Sequence, residues 1–143
     1  MRAVPGLRPL LFGWLPVVAW AGLIFALSAQ PNLRFVADPG LDFVVRKLGH
    51  MGVFGILAVL AWRALSWRAL SWRAVSWRAL AGSTAWRRPW AWAFALTVLY
   101  AVSDELHQGF VAGRHPSAFD VAIDAAGALL ALVAVGRIRS RRS

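Results

Sequence analysis

Long apolar runs, each bounded by arginine or by turn residues, constrain this chain more than any other feature. The run from Leu10 to Ala29 has no charged residue, and its 20 residues match a helix that crosses a hydrocarbon core of about 30 Å. With 59% apolar residues among 143, the chain is too apolar for an ordinary soluble domain and too short for two domains. We therefore predict a single all-α membrane domain over residues 1–143, an integral membrane bundle of four transmembrane helices at about 10–29, 48–62, 89–108 and 119–135.

Two of these predicted spans have competing interpretations. The first resembles a cleaved signal peptide, because Ala26 and Ser28 are small residues at a suitable cleavage spacing. Its apolar run exceeds a typical h-region of about 7 to 15 residues, which favours a retained helix. The second, at 48–62, would give only about 22 Å of helix. It can still cross if Lys47 extends outward at one end and Trp62 anchors the other.

A pentapeptide repeat, WRALS with one WRAVS variant, starts at Trp62 and ends at residue 80. Five helical residues advance by about 500°, so neither Trp nor Arg stays on one helix face. We predict a low-complexity loop over 62–80 that lies on the lipid headgroups. The alternative is a Trp/Arg interfacial helix that attracts anionic lipid. The sequence Asp38-Pro39-Gly40 similarly predicts an external loop over 31–46.

The distribution of charge predicts the topology. The chain has 16 Lys and Arg but only 6 Asp and Glu, a net charge of +10 that in a soluble protein would suggest nucleic acid. Here the basic residues lie at the ends of apolar runs, so we expect contact with the lipid bilayer and no nucleic acid. The two termini and the loop that contains the repeat, which extends to Arg88, hold 12 of the 16 basic residues and none of the acidic ones. The positive-inside rule therefore predicts that both termini are cytoplasmic.

Polar and ionisable residues at the opposite, extracytoplasmic boundary share faces of three predicted helices, because they are spaced three or four apart. They are Lys47 and His50 on the second helix, Asp104, His107 and Gln108 on the third, and Asp120 and Asp124 on the fourth. One ionised side chain at the bilayer centre costs about 2.5 to 3.5 kcal/mol, and less near the interface. Such a cluster either locks the helices together through salt bridges or forms an outward-facing site.

As a site, the cluster divides into two sets of residues. The candidate catalytic residues are His50, Asp104, Glu105 and His107, since imidazole and carboxyl groups transfer protons. The candidate binding residues are Lys47, Gln108, Arg114, Asp120 and Asp124, with Arg114 able to hold a phosphate or carboxylate through two hydrogen bonds.

Other kinds of site have little support in the sequence. No HExxH spacing occurs and the chain has no Cys, so we predict no metal site, and any cofactor stays unknown. Ser103 and Ser117 lack the nucleophile-elbow motif of serine hydrolases. His115 is interpreted as an exposed loop residue.

The pattern of these residues resembles the VanZ-like family of bacterial membrane proteins. The resemblance rests on Lys47-x-x-His50 at a helix start, Asp104-Glu105-x-His107-Gln108, Arg114, Asp120, a glycine-containing last helix, and Phe25-x-Leu27-Ser28-x-Gln30. It implies a link to glycopeptide resistance, notably to teicoplanin, or to cell-envelope homeostasis. Two features depart from the family: Asp124 stands where members often have Asn, and the Trp/Arg repeat is not a family feature.

We therefore expect a multi-pass protein of the cell membrane with its polar site on the extracytoplasmic side. This site would bind or process an envelope component, either a lipid-linked peptidoglycan precursor or a phospholipid headgroup. One alternative is a membrane-embedded hydrolase or transferase with a His/Asp/Glu site. The other is a non-catalytic assembly factor whose polar cluster is structural. Oligomeric state is not predicted.

Overall fold

Four α-helices form most of the structure, a computed structural model that describes residues 7–31, 34–73 and 89–141. They are α1 (Leu7–Ser28), α2 (Pro39–Arg73), α3 (Pro89–Gln108) and α4 (Ala118–Ser140). No strand occurs in these described ranges. The prediction of an all-α fold is confirmed.

Successive helices alternate in direction. Along α1 and α2, Trp20 Nε1 donates to the Val53 carbonyl at 2.9 Å, and Arg63 Nη2 donates to the Phe12 carbonyl at 2.8 Å. Later residues of α2 thus contact earlier residues of α1, so the two helices are antiparallel. With α3 and α4 continuing the alternation, the C-terminal ends of α1 and α3 meet the N-terminal ends of α2 and α4.

The closest helix packing occurs between α2 and α4, which run parallel. A Cβ added to Gly127 would lie only 2.6 Å from the Met51 Cα, and one added to Gly55 would lie 3.2 Å from the Ala131 Cβ. Small residues therefore let the two backbones approach as transmembrane helices commonly do. This seam fixes the relative register of α2 and α4.

Two small apolar clusters fill the bundle. Tyr100 connects one of them to α1, because its hydroxyl donates to the Ala21 carbonyl at 2.6 Å. The buried residues of that cluster are Ile24, Phe54, Leu57 and Ala101, and those of the other are Ala58, Ala61, Ala93, Ala128 and Leu132.

The outer surfaces of the helices are also apolar, which indicates a lipid bilayer environment. Three helices are long and apolar enough to cross a membrane, over Leu11–Ser28, Pro39–Ser66 and Ala118–Ser140. α3 is not among them, since it ends in a group of polar and charged residues. The fourth span and the cytoplasmic position of both termini therefore stay predictions.

α2 begins at Pro39, whereas the sequence suggested a loop up to residue 46. The Leu41 N–H donates to Asp38 Oδ1 at 2.7 Å, so Asp38 caps the helix, and Pro39 occupies the first helical position. Asp42 then accepts the Phe35 N–H at 2.7 Å and holds the preceding segment against the helix. The same Asp-Pro sequence that marks a turn thus also starts a helix.

α2 also continues to Arg73, into the repeat that was expected to form a loop over 62–80. Ala, Leu and Arg all have high helix propensity, so the repeat sustains a helix although no residue type keeps to one face. The rest of the expected loop, from residue 74, lies outside the described residues. α4 likewise runs beyond the expected end at 135 to Ser140, and there Arg139 lies 4.4 Å from the Trp62 ring centroid.

Candidate functional site

Polar residues from all four helices gather at one end of the bundle. The helix directions explain this, because the C-terminal ends of α1 and α3 meet the N-terminal ends of α2 and α4 there. The contributing residues are Ser28 from α1, Lys47 and His50 from α2, Asp104, Glu105 and Gln108 from α3, Arg114 and Ser117 from the α3–α4 connection, and Asp120 and Asp124 from α4.

Two ion pairs join α2 to α4. Lys47 Nζ pairs with Asp120 Oδ1, and His50 Nδ1 lies 3.2 Å from Asp124 Oδ1. The parallel helices bring residues three apart on α2 beside residues four apart on α4, so both pairs form in one register. An ionised Asp124 accepts a hydrogen bond from Nδ1–H, which fixes the imidazole and leaves Nε2 unprotonated in the neutral ring.

Asp104 is the centre of a second group of hydrogen bonds, which joins α3 to α1. Its Oδ2 accepts the Ser28 hydroxyl at 2.8 Å and the Gln108 Nε2 at 2.9 Å. The other oxygen, Oδ1, is buried and has no hydrogen-bond partner in the described part of the chain. The side chain is 2% exposed, so this carboxyl group has an unused acceptor deep in the bundle.

Glu105 faces a different helix from its neighbour Asp104. Its Oε1 accepts the Ser117 N–H at 2.7 Å, and Ser117 is the N-cap residue of α4. Glu105 thereby satisfies a backbone donor at the start of α4 that has no partner within the helix. The roughly 100° between adjacent helical residues turns Asp104 toward α1 and Glu105 toward α4.

Arg114 contacts the end of α1 rather than a carboxylate. Its Nη1 donates to the Ser28 carbonyl at 3.0 Å, a favourable position for a cation because a helix C-terminus carries partial negative charge. Gly109 permits the tight connection that carries Arg114, since a Cβ there would lie 2.6 Å from the Pro116 Cγ. Arg114 thus connects the α3–α4 loop to α1.

The other two histidines lie apart from the α2–α4 pairs. His107 stacks on Phe25 with ring centroids 4.1 Å apart, and its Nε2 is buried without a hydrogen-bond partner among the described residues. His115 is exposed in the connection before α4. The structure therefore brings one histidine, His50, into direct contact with a site carboxylate.

Negative groups outnumber positive ones around the α2–α4 pairs. The imidazole of His50 lies within the electrostatic influence of Asp104, Asp120 and Asp124. Glu105 interacts electrostatically with Asp120 and Asp124 as well. Four carboxyl groups thus share this end of the bundle with Lys47, Arg114 and His50. Within residues 7–31, 34–73 and 89–141, no three His, Asp or Glu side chains converge as metal ligands would.

Two serines that were not predicted as site residues from the sequence also belong to the polar end. Ser28 donates its hydroxyl to Asp104, and Ser117 donates its N–H to Glu105. A polar residue in the last turn of an otherwise apolar helix was the available signal for Ser28. Ser117 acts through its backbone, so its residue type carried no signal.

Comparison with known proteins supports the resemblance. The sequence profile of the VanZ/LLP1 family matches residues 12–139, a range that includes every residue of the polar end. No match was found among curated proteins or among solved structures. The family profile covers most of the chain, and the predicted family resemblance is confirmed: the chain belongs to the VanZ/LLP1 family.

Proposed function

We propose that the polar end binds the headgroup of a cell-envelope amphiphile, a phospholipid or a lipid-linked peptidoglycan precursor, on the extracytoplasmic side of the cell membrane. Such binding would connect the protein to envelope homeostasis or to resistance to teicoplanin-type glycopeptides. The observation that carries the proposal is the convergence of charged and hydrogen-bonding groups from four helices whose remaining surfaces are apolar.

The exposure of the α2–α4 pairs supports binding over a purely structural role. Lys47, His50 and Asp120 keep between 21% and 25% of their side chains exposed. Asp104 and Glu105 have no cationic partner within 4 Å in the described ranges. A cluster that only locks helices together needs matched charges and satisfied acceptors, because an unpaired buried charge is destabilising. Here acceptors and charge are left over for a ligand.

The His50–Asp124 pair supports a second candidate, a membrane-embedded hydrolase or transferase. A histidine whose Nδ1 is held by a carboxylate presents Nε2 as a general base toward water or a ligand hydroxyl. In this reaction His50 would take the proton, while Asp124 would stabilise the imidazolium. The residues that bind the headgroup would be the same in both candidates.

Complementation of a deletion strain tests the proposal. The strain would carry the wild type, His50→Gln or Lys47→Gln, with His115→Gln as the matched control, since His115 lies outside the polar end. Lipids, peptidoglycan precursors and teicoplanin susceptibility would be compared, with membrane abundance measured in each strain. We expect the first two variants to lose the phenotype at normal abundance and the control to keep it.

Other results separate the remaining candidates. Abundance that falls together with the phenotype would show that the cluster is structural and would overturn the proposal. Accumulation of one lipid or precursor in the His50→Gln strain alone would favour the enzyme. A wild-type phenotype in both site variants would contradict both functions.

A further inference from the structure

An apolar groove runs along the seam between α2 and α4. It extends from Met51 to Leu60 on α2 and is closed on the other side by Gly127 and Ala131 of α4, with a volume of about 290 Å³. The nine helical rises from Met51 to Leu60 correspond to about 14 Å of length. Gly52 forms part of its wall without a side chain, and a Cβ there would meet no atom within 4 Å. The groove therefore has room for an extended apolar chain.

The groove begins within about one turn of the charged pairs along both helices. Met51 directly follows His50 on α2, and Gly127 lies about one turn after Asp124 on α4. An amphiphile bound in the groove would place its polar end beside Lys47 and Asp120, which form the outermost of the two α2–α4 pairs. The order of groups along the seam, charged and then apolar, is that of a membrane lipid.

The charge of the seam selects among lipid headgroups. Four carboxyl groups lie at the polar end with two permanent cations, Lys47 and Arg114, and with His50. The Arg114 guanidinium donates to the Ser28 carbonyl, and the buried Asp104 Oδ1 has no partner among the described residues. Low-dielectric surroundings strengthen the field of such groups at the opening of the site. A positive group on the ligand is favoured there, whereas a headgroup with only negative charge is repelled.

We propose that the α2–α4 groove holds an acyl chain of an amine-headed phospholipid, with the lipid ammonium group facing Asp120 and Asp124. This inference rests on the proposed function and narrows its ligand to an amine-bearing class. Asp120 is the exposed contact for the ammonium group, and Asp124 lies behind it, paired with His50.

Photocrosslinking of the purified full chain tests both the position of the acyl chain and the preference for an amine headgroup. The protein would be reconstituted in phosphatidylethanolamine or phosphatidylglycerol vesicles, each with a trace of the same lipid bearing a diazirine in one acyl chain. We expect crosslinks to concentrate at residues 51–60 and 127–131. Phosphatidylethanolamine should label about fivefold more, the equivalent of one partly exposed ion pair. Asp120→Asn should reduce this preference.

Two glycine variants provide a matched pair. Gly52→Leu fills the groove, whereas Gly22→Leu adds the same side chain to an exposed position on α1 with equally free space. We expect Gly52→Leu to abolish the concentrated crosslinks and Gly22→Leu to leave them unchanged. The comparison of the two lipids on the wild type requires no variant to fold.

The inference fails if the two lipids label equally, or if labelling is spread evenly over all helices. Equal labelling of the groove in the Gly52→Leu and wild-type proteins would also refute it. If His50→Gln still removes the envelope phenotype at normal abundance, only this narrower inference falls and the proposed function stands. If crosslinking is as expected but the His50→Gln strain keeps the wild-type phenotype, the groove binds lipid and the proposed function is wrong.

Discussion

Gly127→Ala tests whether the α2–α4 seam determines both stability and site geometry. The added Cβ would approach the backbone of Met51, with its Cα at 2.6 Å. Raising this distance to 3.4 Å, where ordinary contact begins, requires a displacement of about 0.8 Å. Backbone cannot rotate away as a side chain can, so α2 and α4 must separate or shift along each other.

The expected effect is a loss of stability of about 1 to 3 kcal/mol, which is typical of overpacking. Higher helix propensity of Ala offsets up to about 1 kcal/mol of it. Gly22→Ala is the matched control, since a Cβ at Gly22 meets nothing within 4 Å. The control should be neutral or stabilising by up to about 1 kcal/mol. The same substitution thus has opposite signs at the two positions.

Reversible unfolding in mixed micelles, followed by tryptophan fluorescence, would measure the two variants. The His50–Asp124 distance of 3.2 Å would pass the hydrogen-bond limit after such a shift, so the proposed headgroup binding should also weaken in Gly127→Ala. Equal stability of the two variants would refute the packing argument. A destabilised Gly127→Ala with unchanged binding would refute the coupling between seam and site.

Three further predictions concern single contacts. Glu105→Gln keeps an oxygen for the Ser117 N–H and should preserve stability, whereas Glu105→Ala should lose about 1 kcal/mol in the same unfolding assay. Equal loss in both would mean that the charge matters more than the hydrogen bond. Tyr100→Phe removes the hydrogen bond to the Ala21 carbonyl and should lower the free energy of unfolding by about 0.5 to 1.5 kcal/mol. An unchanged unfolding midpoint would show that this hydrogen bond does not stabilise the fold. Ser117→Cys should react with an impermeant thiol reagent in intact cells, and labelling only after lysis would contradict the extracytoplasmic position of the polar end.

The sequence predicted the residue types of the polar end better than their pairing. Spacing placed Lys47 with His50 and Asp120 with Asp124 on common helix faces, and the structure joins these faces. Spacing alone could not predict which residue of α2 pairs with which residue of α4, because the pairing depends on the register of the two helices. Close approach at Gly127 sets this register, and its contact with Met51 is separated by 76 positions in the sequence.

Helix ends were less predictable, for two physical reasons. Asp38-Pro39 is compatible with a turn and with a helix start, and only the capping bond to Leu41 distinguishes them. In the repeat, the absence of a constant face argued against helix, but periodicity describes packing and not backbone preference. Ala, Leu and Arg favour helix even where no face is buried.

Asp124 shows how one substitution changes the chemistry of the site without changing its shape. The resemblance to VanZ-like proteins implies an Asn at this position in many members, and Asn and Asp have nearly equal size. An amide can donate to or accept from the imidazole, so it holds His50 in either tautomer. An ionised carboxylate only accepts, so it requires the proton on Nδ1 and leaves Nε2 unprotonated in the neutral ring. The side chain that orients His50 here therefore also determines which ring nitrogen carries the proton.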